Sequence, residues 1–197
     1  MKVSKFGGSS LADASQIRKV CDILISDPDR HILVVSAPGK RYKTDIKVTD
    51  LLIGLASAKL EEGSGINELG AVLSRYEEIA AELSIESVMP SISDNITALA
   101  NADRSSADKF MDAMKAAGED NCARLVAAYL NSIGHKAYYC NPKSAGLLLS
   151  SDFGRAHELH NGITGQCRAY DSNDYRYCDI RCQRRISLDN IKNIKEK

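Results

Sequence analysis

The densest chemistry in this 197-residue chain lies in Lys5-Phe6-Gly7-Gly8-Ser9-Ser10. A short strand pattern (Val3, Lys5, Phe6) stops at the paired glycines, and a helical pattern starts at Leu11. Strand, glycine pair, hydroxyl pair and helix, in that order, make an anion site. Glycines let the backbone approach a phosphate with no Cβ in the way, and amide N–H groups at a helix N-terminus face the ligand. Lys5 stands at the strand's end, where its ammonium can reach the same anion, and Ser9 or Ser10 is placed to cap the helix. The residues also fit an ordinary strand–turn–helix junction, and spacing alone does not separate the two readings.

Two further groups carry chemistry. Ser36-Ala37-Pro38-Gly39-Lys40 is followed by Arg41, Lys43 and Lys47 and then by Val48-Thr49-Asp50. A loop this basic suits a polyanion or is a solvated surface loop, and Thr49 reads either as a helix N-cap or as a ligand-facing hydroxyl. Gly118-Glu119 reads as the stop of one helix and the acidic start of the next, where a carboxylate is favourable with the macrodipole.

The elements that must position these residues follow from periodicity. Ala14, Ile17, Val20, Cys21 and Leu24 keep a helical period, ended by Asp27-Pro28-Asp29, and Ile32 to Val35 is a continuous apolar run of the kind buried in a parallel sheet. Strand–helix–strand predicts a parallel crossover. In such a sheet, ligands sit beyond the carboxyl ends of the strands, which places the 36–47 loop beside the Gly7-Gly8 turn. Leu51 to Ala58 continues as a helix broken by Gly63-Ser64-Gly65. Ile66, Leu69, Leu73, Tyr76, Ala80 and Leu83 form the core stripe of a long helix, and Ser84 to Ser93, with Pro90, reads as a looser connector. Ala107, Phe110, Met111 and Met114 mark a helix stopped at Gly118; Cys122, Leu125, Val126, Tyr129 and Leu130 mark another, closed by Gly134. Ala137 to Cys140 reads as a third strand and Gly146 to Leu149 as a short apolar run.

Composition bounds the class. Lysine plus arginine equals aspartate plus glutamate at 26 each, which gives no electrostatic case for a nucleic acid or membrane partner. Apolar content of 44% is that of a globular chain, and no run approaches a membrane span. Six cysteines are few for a disulfide scaffold; Cys21, Cys122 and Cys140 fall on apolar positions, and the expected setting is cytoplasmic.

Lys5-Phe6-Gly7-Gly8-Ser9-Ser10 resembles the signature of aspartokinases, within the amino-acid kinase family, and the later stretches agree. Ser36 with Thr49-Asp50-Leu51-Leu52 resembles that family's serine and threonine segment facing the amino-acid substrate. Gly118-Glu119 with Ala123-Arg124-Leu125 resembles the segment whose glutamate meets the substrate's ammonium group. Ser151-Asp152-Phe153-Gly154-Arg155-Ala156 resembles the stretch preceding the strands that complete the active site. The resemblance implies an α/β three-layer sandwich with a mainly parallel sheet, incomplete here at its C-terminal side. It implies ATP-dependent phosphorylation of the L-aspartate side-chain carboxylate to 4-phospho-L-aspartate, the first step of lysine, threonine and methionine synthesis. On that template Lys5 is catalytic; Lys5, Phe6, Gly7, Gly8 and Ser9 contact the nucleotide; Ser36, Thr49 and Glu119 hold aspartate. Magnesium (Mg2+) bridges the phosphates of ATP, and homo-oligomers occur among intact relatives. The competing expectations are a non-catalytic amino-acid-binding fragment or a kinase acting on another amino acid, such as glutamate.

The resemblance covers residues 1 to about 156. From His157 to Lys197 there is no valine, phenylalanine or methionine and no apolar run long enough for a buried strand, while Tyr170, Tyr175, Arg176, Tyr177, Arg181, Arg184 and Arg185 cluster. The family's Gly-Phe-x-Gly turn and Gly-Arg-Gly-Gly-Ser-Asp segment do not occur. Residues 157–197 are therefore expected to be a divergent, disordered or out-of-frame tail, and the chain a truncated form without turnover of its own. His157, His160, Cys167, Cys178 and Cys182 are possible metal ligands, but their spacings match no zinc pattern.

Overall fold

The computed structural model describes residues 1–143, 145, 150 and 153 and the backbone of 176–180. β1 (Lys2–Lys5) leads through a 3-10 turn (Gly8–Leu11) into α1 (Ala14–Ile25), and β2 (Arg30–Val35) returns parallel to β1 with Lys5 opposite Val34. Four helices follow: α2 (Val48–Glu61), α3 (Ile66–Leu83), α4 (Met89–Ala100) and α5 (Ala107–Ser132). β3 (Ala137–Cys140) and β4 (Arg176–Ile180) complete a parallel sheet of order β1-β2-β4-β3. This is the expected α/β class.

α1 and α5 both pack on β2 and touch each other, so they cover one face of the sheet; α2 and α4 pack on α5, and α3 packs on α1, α2 and α4. Leu33 and Val35 of β2 are fully buried, whereas Ile32 and Val34 on the opposite face are only partly covered. The centre of the core is Leu11, Ile17, Leu24, Leu33, Leu52, Leu55, Tyr76, Ile79, Ile92, Ile96, Met114 and Leu125.

Several elements differ from the sequence reading. The first α-helix starts at Ala14 rather than Leu11. Its cap is Asp13, whose carboxylate accepts from the Gln16 amide at 2.9 Å, while Ser9 and Ser10 lie in the preceding 3-10 turn. Residues 84–93 are not a connector throughout. A 3-10 turn (Glu86–Val88) runs into α4 with Pro90 in its first turn, where the missing N–H costs nothing. Ile66, placed in the core stripe of α3, is 79% exposed, and Val72, Arg75 and Ile79 are buried instead.

The largest difference is at Gly118. It does not stop a helix, and Glu119 does not start one: both sit inside the 26-residue α5. Glycine costs a helix interior about 1 kcal/mol, which the packing described below outweighs. Finally, β4 lies within the stretch expected to hold no strand, pairing with β2 (Ile32 opposite Tyr177) and β3 (Ala137 opposite Arg176). A strand inserted between two others needs backbone partners on both sides, and a search for apolar runs does not register them. The 146–149 run, the 151–156 motif apart from Phe153, and the tail's histidines, Cys167 and Cys182 lie outside the described residues.

Candidate active site

Because the sheet is parallel, the carboxyl ends of β1 and β2 open on the same edge. The Gly7-Gly8 turn leaves β1 there and the 36–47 loop leaves β2 there. The two meet backbone to backbone: the Gly39 amide donates to the Gly8 carbonyl at 2.9 Å. A Cβ on Gly39 would stand 2.5 Å from the Gly8 carbonyl carbon, and one on Gly8 would stand 2.9 Å from the Ala37 carbonyl oxygen. Both glycines are therefore required by close approach and not only by turn geometry.

Lys5 is exposed at the end of β1, and its Nζ lies 4.0 Å from where a Cβ would stand on Gly7, so the ammonium overhangs the turn. Among the described residues no acceptor meets the Gly8 and Ser9 amide N–H groups. The ammonium and these amides thus lie at the same turn. Phe6 is held differently: its ring packs partly buried against the core and its amide donates to the Val34 carbonyl at 2.9 Å.

Ser36 is half-buried at the end of β2. Thr49 is half-buried in the first turn of α2, whose N-cap is Lys47. The N-cap reading of Thr49 is thus set aside. The Val48 amide donates to the Pro38 carbonyl at 3.0 Å, which ties the start of α2 to the loop beside the glycine turn.

Glu119 faces this loop from α5. It is only 7% exposed, and its Oε2 is buried without a hydrogen-bond partner. Burial pushes its carboxyl above the usual carboxylate range, against the pull of its own and Ala37's amide N–H groups and of the Lys47 ammonium. A half-satisfied buried acid of this kind is costly unless a cation meets it. Gly118 explains how Ala37 comes so near: a Cβ there would stand 2.7 Å from the Ala37 Cβ and 3.3 Å from Leu52 Cδ1. The buried Tyr76 hydroxyl donates to the Gly118 carbonyl at 2.9 Å and fixes the same point of α5.

The basic loop is less available to a polyanion than its composition implies. Arg41 donates from Nε and Nη2 to Asp45 at 2.9 and 2.8 Å and from Nη1 to Glu78 at 2.5 Å, and Lys47 lies 3.4 Å from Asp50. Asp45 is buried and held well below the usual carboxylate range, chiefly by its hydrogen bonds from Arg41.

Two groups escaped the sequence reading. Arg75 of α3, 4% exposed, donates from Nη2 to the Ala12 carbonyl at 2.7 Å and the Gly39 carbonyl at 3.0 Å, with Asp45 at 3.4 Å. Its signal was present in the spacing, since Arg75 shares the core face of α3 with Val72, Tyr76 and Ile79. Asp120, next to Glu119, accepts from the Tyr139 hydroxyl, from Asn141 Nδ2 at 3.2 Å and from Arg124 Nη2 at 3.2 Å. The Arg124 guanidinium stacks 4.2 Å from the Tyr139 ring centre. This cluster fastens the end of β3 to α5.

Comparison with known proteins covers the stretch that contains these residues. The model of the amino acid kinase family matches residues 1–179. Aspartokinase 3 of Bacillus subtilis is 49% identical over 160 residues, covering 81% of this chain and 35% of that protein. The crystal structure of E. coli aspartokinase III in complex with aspartate and ADP superposes with a TM-score of 0.65 at 28% identity, covering 80% of this chain and 34% of that one. The Clostridium acetobutylicum aspartate kinase structure does so at 0.57 and 34% identity, over 75% and 31%. The chain spans about a third of the length of these proteins.

Proposed function

The chain belongs to the amino acid kinase family, and on that premise we propose that it carries the aspartate-binding, phosphate-facing half of an aspartate kinase site. The observation that carries this reading is the buried, partnerless oxygen of Glu119 beside the Ala37 amide, facing the loop that bears Ser36 and leads to Thr49. An amino acid's ammonium group is the cation such an acid needs, and the two hydroxyls supply polar contacts for the rest of aspartate. The E. coli relative's complex with aspartate and ADP supports this choice of substrates.

The proposed reaction joins two anions. A side-chain carboxylate oxygen of aspartate attacks the γ-phosphorus of ATP. The bond from that phosphorus to the β,γ-bridging oxygen breaks, and 4-phospho-L-aspartate and ADP form. Catalysis of this kind is mostly positioning and charge neutralisation. Lys5 neutralises the transferring phosphoryl, and the Gly7, Gly8 and Ser9 backbone borders the phosphates. Phe6, packed in the core, sets the strand end from which Lys5 projects.

The turn suits the anion and not a metal ion, since its donors are amides and an ammonium. Among the described residues no three His, Cys, Asp or Glu side chains come together. Magnesium in this reading arrives on the nucleotide's phosphates. No helix among the described residues is long and apolar enough to cross a membrane, and a cytoplasmic setting accords with an ATP substrate and the buried free thiols of Cys21 and Cys122. Assembly with further copies, and a place at the head of lysine synthesis, belong to the same proposal.

Titration calorimetry with L-aspartate and with succinate, which lacks only the ammonium group, tests the reading. Aspartate should bind at least about tenfold more tightly, about 1.4 kcal/mol. Equal binding of the two acids would remove Glu119 from substrate recognition. The 197 residues alone are expected to bind aspartate without releasing ADP, because they contain no Gly-Arg-Gly-Gly-Ser-Asp segment.

A further inference from the structure

One side chain outside the site touches both loops that build it. The same nitrogen of Arg75, Nη2, donates to the carbonyls of Ala12 and Gly39 at 2.7 and 3.0 Å. Ala12 closes the 3-10 turn that begins at Gly8, and Gly39 lies in the loop after β2. The Gly39 amide already donates to the Gly8 carbonyl. The two loops are thus joined twice, once directly and once through a buried guanidinium.

The charge is compensated on the spot. Asp45 lies 3.4 Å from Arg75 Nη2 and is itself buried, and Glu78 lies 4.0 Å from Nη1. Asp45 also closes its own loop, accepting from the Arg41 amide at 2.8 Å and from the Arg41 side chain. Burying a guanidinium is costly unless it is paired; Nη2 is paired, and the buried Nε has no hydrogen-bond partner. Hydrophobic side chains of similar size could fill this place between α3 and the loops, but none could bond two backbone carbonyls from different loops.

We infer that Arg75 is a positioning residue for the active site, a clamp that holds the phosphate-facing glycine turn and the aspartate-facing loop in mutual register. The inference rests on the reading under Proposed function for what the two loops bind, but the clamp itself stands on geometry alone. Through Gly39, Arg75 fixes the segment whose Ala37 amide meets Glu119; through Ala12, it fixes the far end of the turn overhung by Lys5. Lysine does not replace it, because its ammonium ends one bond short of the position of Nη2, the nitrogen that meets both carbonyls and lies near Asp45.

Hydrogen exchange on the full chain, resolved at single amides, tests the clamp. In Arg75→Lys and Arg75→Met the Gly39 and Val48 amides, which bond the Gly8 and Pro38 carbonyls, should exchange at least about tenfold faster, while Leu55 in α2 and Val126 in α5 stay protected. Aspartate affinity, by calorimetry on the same proteins, should fall at least about tenfold in both variants, with Lys no better than Met. Uniform loss of protection, failure of both variants to fold, or unchanged Gly39 exchange would each overturn the positioning role. If the unsubstituted chain binds no aspartate, the proposed function fails while exchange at Gly39 still decides the clamp.

Discussion

Gly118→Ala is the substitution that most sharply separates packing from propensity in this chain. In an exposed helix interior, replacing glycine by alanine stabilises by about 0.4–1 kcal/mol. Gly54 in α2 and Gly70 in α3 are such positions: a Cβ at either meets nothing within 4 Å. At Gly118 the same methyl would stand 2.7 Å from the Ala37 Cβ, well inside the separation of about 3.5–4.0 Å at which carbon atoms pack. The neighbour is a stub on backbone, so relief requires α5 or the 36–39 loop to move. Overpacking of this kind costs about 1–3 kcal/mol. The difference in unfolding free energy between Gly118→Ala and Gly70→Ala should therefore be about 1–3 kcal/mol, read from urea unfolding followed by circular dichroism. A retreat of Ala37 also withdraws an amide from Glu119, so aspartate affinity should fall in Gly118→Ala alone. A Gly118→Ala chain as stabilised as Gly70→Ala, with unchanged affinity, would refute the close contact between α5 and the loop.

Three further outcomes are expected. Lys5→Ala should leave the thermal midpoint unchanged, because Lys5 is exposed, but weaken binding of a fluorescent ATP analogue at least about tenfold; undiminished binding would exclude Lys5 from the phosphate site. Asp45 has its folded pKa depressed, so its contribution to stability is present above the usual carboxylate range and is lost as pH falls through the depressed value. Asp45→Asn should be destabilising, because it leaves the buried Arg75 with only the exposed Glu78 4.0 Å away, and it should flatten the acid limb of the stability profile; an unaltered acid limb would contradict the pairing. Burial pushes the Cys21 thiol up to about 12 and the Cys122 thiol higher still. At about pH 8, where a thiolate is needed for alkylation, both should stay unmodified by iodoacetamide in the native protein and react only on unfolding, as mapped by mass spectrometry; rapid native labelling of either would contradict the packing.

Much of the site was legible because it depends on local order and parallel topology. Lys5 through Gly8 announce a turn at a strand's end, and a parallel crossover sends the Ser36–Gly39 loop to the same edge, where Gly39 bonds Gly8. What was not legible depends on contacts between distant segments. Glycine's poor helix propensity argued for a break at Gly118, and only the approach of Ala37 makes glycine necessary within α5. Pro90 argued for a connector, yet a first-turn proline is harmless and α4 begins beside it. Arg75 carries a charge on a core face, which a periodicity count discards, although its carbonyl partners lie 63 and 36 residues away. Ser9 and Ser10 read as the helix cap because they follow the glycines, but the 3-10 turn delays the helix and passes the role to Asp13.

The proposed role of Glu119, to meet a substrate ammonium group, is isolated by Glu119→Gln, because the amide keeps the shape and removes the charge. Burial raises the Glu119 carboxyl, so the folded state holds its proton to higher pH than the unfolded chain. Ionising it on folding is then unfavourable, and the stability gained in the protonated form is lost as pH rises through the folded value. Aspartate binding needs the ionised form and should weaken as pH falls through that same raised range. The measurement is calorimetric titration of L-aspartate across this range for both proteins. Glu119→Gln should bind at least about tenfold more weakly at neutral pH, lose the pH dependence and be no less stable to urea. A Glu119→Gln chain that binds aspartate as tightly as the unsubstituted protein, with the same pH profile, would contradict it.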